Sequence, residues 1–299
     1  MGGEVVVAEP LAPFLSPTAP VQVTHMLVAA LLAAAAGVAA VYAAALRRGR
    51  RDAYHRRGLA VGLALLAVLA PVQALVGDWA TRVVAERQPV KLAAMEGLGR
   101  TEAGAPLSLG GVYDEERAEL VGAVELPRVL SVLLHGDPDA VVVGLDSVPA
   151  DERPDATITH LAFDTMVGIG TALVALGAWA AWRAWRRRPV DGSRWFLRAV
   201  VAAGPLTSLA VIAGWVVTEV GRQPWIVYGR MRTEDALTDQ TGLWAYFYGT
   251  VALYLVLAVA LVGVLRRVAR SGHERWLDED GDRTTAPAGD GTPRQEVRA

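Results

Sequence analysis

VQVTHMLVAALLAAAAGVAAVYAAAL, residues 21–46, carries no charged side chain, and it stops abruptly at RRGRRDAYHRR, residues 47–57. About 20 apolar residues in helical form cross roughly 30 Å of hydrocarbon. A stretch of this kind, closed by a dense arginine cluster, reads as a membrane-crossing helix and its cytoplasmic end. Four more stretches have the same character: Gly58 to Val76, Thr159 to Trp182, Trp195 to Thr218, and Leu243 to Leu265. They largely lack the polar stripe, repeating every 3.6 residues, of a helix half-exposed to water. The fold class that follows is an all-α, polytopic membrane bundle of five transmembrane helices.

Composition agrees. Of 299 residues, 53% are apolar and 20% charged, against roughly a quarter charged in a soluble domain; the mean hydropathy is +0.31. A net charge of −2 offers no basic field for nucleic acid. The absence of cysteine excludes disulfides, thiolate iron–sulfur clusters and cysteine-ligated zinc. Metal chemistry therefore falls to five His, five Met and the carboxylates.

Arginine placement orients the chain. RRGRRDAYHRR follows the first span, RAWRRRP (183–189) the third, and RRVARSGHER (266–275) the fifth, whereas acids outnumber bases in the connection beginning at Gly77. By the positive-inside rule the arginine clusters are cytoplasmic, the N-terminus lies outside and the C-terminus inside. The opening MGGEVVVAEPLAPFLSP lacks the basic region of a secretory leader. The chain thus divides into an outer N-terminal segment (1–20), two helices (21–76), a long extracytoplasmic loop (77–158), two helices (159–218), an outer GRQPW loop (219–242), a fifth helix (243–266) and a polar, disordered cytoplasmic tail (267–299). Loops of roughly 80 residues are usually functional. Trp79 to Leu98 has helical character, and VELPRVLSVLLHGDPDAVVVGLDSVP (124–149) reads as a small packed lobe.

Ionisable and ligating groups at membrane depth are costly and are functional candidates. His25 lies near the outer end of the first span, Met166 two turns into the third, with His160 and Asp164 nearby, and Glu219 at the outer end of the fourth. An imidazole and a thioether from separate helices are one way to hold a low-spin haem, and a carboxylate suits a second iron. Simpler readings stand beside these. His25 fits a hydrogen-bonded helix-end histidine, Met166 plain packing, and Glu219 an ion-pair partner of Arg222.

Three blocks carry a resemblance to a known family. EVGRQPWIVYGRMRTEDALT (219–238) resembles the signature of cytochrome bd quinol oxidase subunit I through Glu219, Gly221, Arg222, Gln223, Pro224 and Trp225. GDWATRVVAERQPVKLAAMEGL (77–98) resembles the start of its quinol-binding loop, through Gly77, Asp78, Gln88, Pro89, Lys91 and Glu96. LAFDTMVGIG (161–170) resembles the helix bearing its methionine ligand, through Phe163, Met166, Val167, Gly168 and Gly170, and His25 in VTHMLVAALL sits where the family has a histidine ligand.

The resemblance implies a haem-binding, multi-pass subunit of a bacterial plasma-membrane quinol:oxygen oxidoreductase. His25 and Met166 would be the axial ligands of a low-spin haem b, and Glu219 the ligand of a high-spin haem b. Arg222 would contact a haem propionate. Lys91 and Glu96 would serve the quinol, against the alternative of a plain pair on a solvated helix. Gln223 and Trp225 read as local packing and interface anchoring. The partner would be cytochrome bd subunit II. The first four helices of the family's subunit, with the haem d ligand and the acids of the proton route, have no counterpart in this sequence. A split subunit or a truncated product is then expected, haem d coming only from the missing helices or a partner chain. A non-catalytic membrane scaffold derived from that subunit is the alternative. Asp164 stands where the family often has Arg, which reverses a charge beside the low-spin haem. His160 is expected to face water at its helix start, and His55, His135 and His273 to lie in exposed loops.

Overall fold

The structure, a computed structural model, describes residues 16–238 and 240–285, with side chains described through Val268. The expected outer segment 1–20 falls largely outside those residues, as do 286–299 of the expected tail and the side chain of His273.

Among the described residues, five helices are long and apolar enough to span a membrane. The first, α1 (Ala19–Arg47), opens with Pro20 in its first turn, where a missing N–H costs nothing. The second, α2 (Ala53–Arg87), starts at Asp52, whose carboxylate accepts the His55 N–H (3.0 Å). His55 is thus a half-buried helix-start residue paired to Asp52, which corrects its expected place in an exposed loop; His135 ends a short helix and is exposed. At 1.5 Å per residue, the 35 residues of α2 reach about 50 Å, well beyond a hydrocarbon core. A sharp break at Gln88 leads into α3 (Pro89–Glu96), which ends on left-handed Gly97 (φ 65°).

Beyond α3 the chain builds a lobe of short antiparallel strand pairs. Strand β1 (Glu102–Ala103) pairs with β6 (Val141–Val142), β2 (Leu107–Leu109) with β5 (Val124–Leu126), and β3 (Val112–Asp114) with β4 (Glu119–Val121), with the short helix α4 (Val129–His135) between β5 and β6. Val90, Leu92, Ala93, Ala94 and Leu98 from α3 and its C-cap form one wall of the lobe's core, against Ala105, Leu130, Leu134, Val142 and Leu145. Ser131 closes it, accepting the Ala105 N–H and donating to the Ala140 carbonyl, both at 2.8 Å.

Helices α5 (Ala156–Trp185) and α6 (Arg194–Val220) return through the bundle, capped by Asp155 and Ser193. Helix α1 packs on α2 and α6, and α5 packs on the same two, so α1 and α5 occupy diagonal corners of a four-helix ring. Small residues set the spacing. A Cβ on Gly62 would lie 3.0 Å from Ala39, on Gly177 2.9 Å from Ala67, and on Gly204 2.9 Å from Ala40, the close approach that membrane helices use in place of a hydrophobic drive. Leu59, Leu66, Phe196 and Val200 fill the centre, while Val23, Leu27, Leu31, Val61 and Ile212 face outward, as lipid-facing positions must. The α1–α2 and α5–α6 turns share one end, joined by Arg56 to Asp191 (3.1 Å), so two arginine clusters lie together there.

After α6 come the hairpin β7 (Trp225–Val227) and β8 (Met231–Arg232). Residues 237–299 form a separate unit. Its helix α7 (Leu243–Thr285) contains an apolar stretch, Leu243–Val268, long enough to cross a bilayer. The helix continues past the expected span end at 266 through Thr285.

Candidate functional site

Helix α3 presents two ionisable side chains to two different surroundings. Near its N-terminal end, Lys91 Nζ donates to the Thr218 carbonyl at the end of α6 (3.4 Å). Burial, and then the Arg222 guanidinium, push Lys91 down to about 8, against the opposing pull of Glu219. Here Arg222 donates to Glu219 at 2.6 Å, so the ion pair that sequence offers as the simple alternative is formed. Gly221 has to be glycine. A Cβ there would stand 2.6 Å from the Val217 carbonyl oxygen, 3.0 Å from Thr159 and 3.4 Å from Lys91.

The GRQPW turn is fixed from below and from the side. Thr233 donates to the Gln223 side-chain oxygen (2.6 Å) and to the Pro224 carbonyl (3.1 Å). Arg232 lies over the Trp225 ring at 5.5 Å and binds Asp151 (2.9 Å) and Glu152 (3.2 Å) of the lobe. Trp225, Tyr228 and Gly229 meet Val90, Val148 and Glu152 around a small cleft of about 110 Å³.

Glu96, at the other end of α3, is 4% exposed. Burial first, and then the nearby Asp164 carboxylate, raise it to about 8. Its neighbourhood includes a residue that sequence reasoning misplaced. His160 is 1% exposed, not water-facing, because the start of α5 is covered by both α3 and the β2–β3 turn. Its Nδ1 lies 2.8 Å from the Met95 carbonyl and its Nε2 2.9 Å from the Gly110 carbonyl. Asp164, one turn along, accepts the Gly110 N–H and lies 3.5 Å from His160 Nε2. The spacing His160-x-x-x-Asp164, which places two side chains on one helix face, was the available signal.

Between those ends, Met95 packs with Phe163 and Val217, with Met166 against the same cluster. Met166 Sδ would be 3.1 Å from a Cβ on Gly214. On the diagonal helix, His25 is half-buried and receives the Gln73 amide at Nε2 (3.1 Å); a Cβ on Gly77 would lie 3.7 Å from its ring. The structure therefore groups Lys91 with Glu219 and Arg222, groups Glu96 with His160 and Asp164, and seats Met166 beneath α3, while His25 has α2 for its neighbour.

These residues suit haem ligation. An imidazole and a thioether sit on diagonal helices, each close to a glycine, and the His25 Nε2 lone pair that here meets the Gln73 amide is the one that iron would take in its place. The Gln73 carbonyl oxygen, buried with no hydrogen-bond partner among the described residues, marks the same place as polar and unsatisfied.

A family model described as cytochrome bd terminal oxidase subunit I matches residues 1–273. The putative cytochrome bd menaquinol oxidase subunit I of Bacillus subtilis (strain 168) is 32% identical over 288 residues, covering 94% of this chain and 63% of its own length. The cytochrome bd-II ubiquinol oxidase subunit 1 of Escherichia coli (strain K12) is 26% identical, covering 88% and 64%. Among solved structures, the bd oxidase from Geobacillus thermodenitrificans superposes with a TM-score of 0.81 at 38% identity, over 90% of this chain and 62% of that one. The chain thus spans somewhat under two thirds of the relatives it matches.

Proposed function

The chain belongs to the cytochrome bd terminal oxidase subunit I family, and from that premise we propose that it oxidises quinol at α3 and feeds the electrons to haem held in the four-helix ring. The observation that carries this is the seat of α3. Its Lys91 end rests on the end of α6 that bears Glu219, and its Met95 packs on the cluster that includes Met166. A quinol bound at α3 is thereby beside α5 and α6, two of the three helices that offer iron ligands.

Oxidising a quinol releases two protons and two electrons. Glu96, raised to about 8 by its burial, takes a quinol proton in its ionised form, a fraction that grows as the pH approaches that value. Lys91, lowered to about 8, donates a hydrogen bond to the quinone oxygen and offsets negative charge as it develops there. His25 and Met166 would hold a low-spin haem b, Glu219 would hold a high-spin haem b, and Arg222, already directed at a carboxylate, would meet a propionate. Haem b, when bound, supplies the one-electron chemistry that carries quinol electrons towards oxygen reduction. The working assembly includes subunit II and sits in a bacterial plasma membrane. The lobe of residues 77–158 and the GRQPW turn 219–242 are outside, and the two joined arginine clusters are cytoplasmic.

A reduced-minus-oxidised spectrum of the purified assembly tests this. A b-type α-band that disappears in Met166→Leu is the expected result; a band unaffected by Met166→Leu and by His25→Ala overturns the ligand assignment.

A further inference from the structure

His160 is a buried group that quinol chemistry and haem ligation both leave unused. Its two ring nitrogens each face a backbone carbonyl oxygen, Met95 at 2.8 Å and Gly110 at 2.9 Å. A carbonyl only accepts, so both contacts are hydrogen bonds only if both nitrogens carry protons. A neutral ring would set one nitrogen lone pair against a carbonyl lone pair at hydrogen-bond distance, in a site 1% exposed, where an unmet polar group is costly. The counter-charge is in place. Asp164 lies 3.5 Å from His160 Nε2 on the same helix and takes the Gly110 N–H as well. The ionisable groups around the ring are Asp164 on α5 and Glu96 on α3, while the β2–β3 turn contributes the Gly110 backbone.

The ring also joins segments far apart in sequence, 65 residues from Met95 and 50 from Gly110. It ties the end of α3 and the β2–β3 turn to α5, and the Met95 carbonyl it holds belongs to the residue immediately before Glu96. We propose that His160 is a positioning residue for quinol oxidation: an imidazolium, with Asp164 as counter-ion, that docks the outer lobe on the bundle and fixes the Glu96 carboxyl. This rests on the assignment of Glu96 to the quinol site.

Two measurements on the assembled oxidase test it. In the ¹⁵N-histidine-labelled wild type, one signal with both ring nitrogens protonated, as the two carbonyl contacts require, is expected at the pH of the kinetic assay and is expected to vanish in His160→Gln. If the signal lost in that variant is that of a neutral tautomer, the proposal is overturned. Kinetically, His160→Gln and Asp164→Asn are expected to raise KM for a soluble quinol about tenfold, the scale of a lost buried charged hydrogen bond, with the dithionite-reduced haem spectrum unchanged. A residue that only held the fold would lower the yield of assembled oxidase and leave KM alone, and that outcome counts against positioning. Glu96→Gln separates the two levels. If it stops quinol oxidation while His160→Gln leaves KM unchanged, positioning alone fails; if Glu96→Gln has no effect, the quinol assignment fails with it.

Discussion

Lys91 and Glu96 stand at opposite ends of one eight-residue helix, and the same physical cause moves them in opposite directions. Burial penalises the charged form of each, so the amine falls to about 8 and the carboxyl rises to about 8. Their neighbours add to the effect. Like charges lead the electrostatic contributions at both ends, Arg222 beside Lys91 and Asp164 beside Glu96. Yet the two ends are built differently. The Lys91 end is a partly exposed cluster of charges at a helix terminus, with Glu219 and Arg222 about half-exposed. The Glu96 end is closed by a nearly inaccessible histidine bonded to two backbone carbonyls. On the proposed function this is a division of labour, with adjustable charge where the quinol headgroup would be received and fixed geometry where its proton would be taken.

The sharpest way to break the Lys91 end alone is Gly221→Ala. The new methyl would stand 2.6 Å from a backbone carbonyl oxygen, so α6, Thr159 or Lys91 must move. A destabilisation of about 1–3 kcal/mol, localised by hydrogen exchange to the end of α6 and the start of α3, is expected, with the Glu96 end unchanged. Lys91→Gln comes next, expected to raise the quinol KM by about tenfold, the loss of one hydrogen bond from a charged donor, while kcat changes little. A subtler probe is Arg222→Gln. Removing the like charge that depresses Lys91 raises its pKa, so the alkaline limb of the rate profile should move to higher pH.

The last expected effect is on stability against pH, and its sign differs between the ends. Glu96 keeps its proton in the folded state from its ordinary 4.5 up to about 8, so the folded state binds more protons and stability falls as pH rises through that window. Lys91 loses its proton in the folded state at about 8 instead of 10.5, so stability rises again between those values. The pair together places a stability minimum near pH 8, measurable by proteolysis of the lobe. Glu96→Gln should remove the falling limb and Lys91→Gln the rising one.

The spans were legible because hydrocarbon leaves little freedom. A helix that crosses it must be long and apolar, and Val21–Leu46 could be little else. The extension of α2 to Arg87 was half-legible, since GDWATRVVAER leaves the membrane and no longer obeys that constraint. The strand pairs of the lobe were not, because strands of two or three residues are too short to show alternation. His160 was misjudged for another reason. Its burial comes from segments 50 and 65 residues away folding over the start of α5, which no local pattern records. Asp164 was noticed as a charge reversal beside Met166, but its partner in the β2–β3 turn is a backbone N–H, and a backbone group leaves no signature in sequence.

Everything turns on whether α3 delivers quinol electrons to haem in the helices beneath it. The direct measurement is stopped-flow haem reduction in the Glu96→Gln oxidase, with quinol in one syringe and dithionite in the other experiment. Full reduction by dithionite with quinol-driven reduction slowed by a factor on the order of 10² or more is the expected result. Quinol reducing the variant's haem at the wild-type rate would contradict the account.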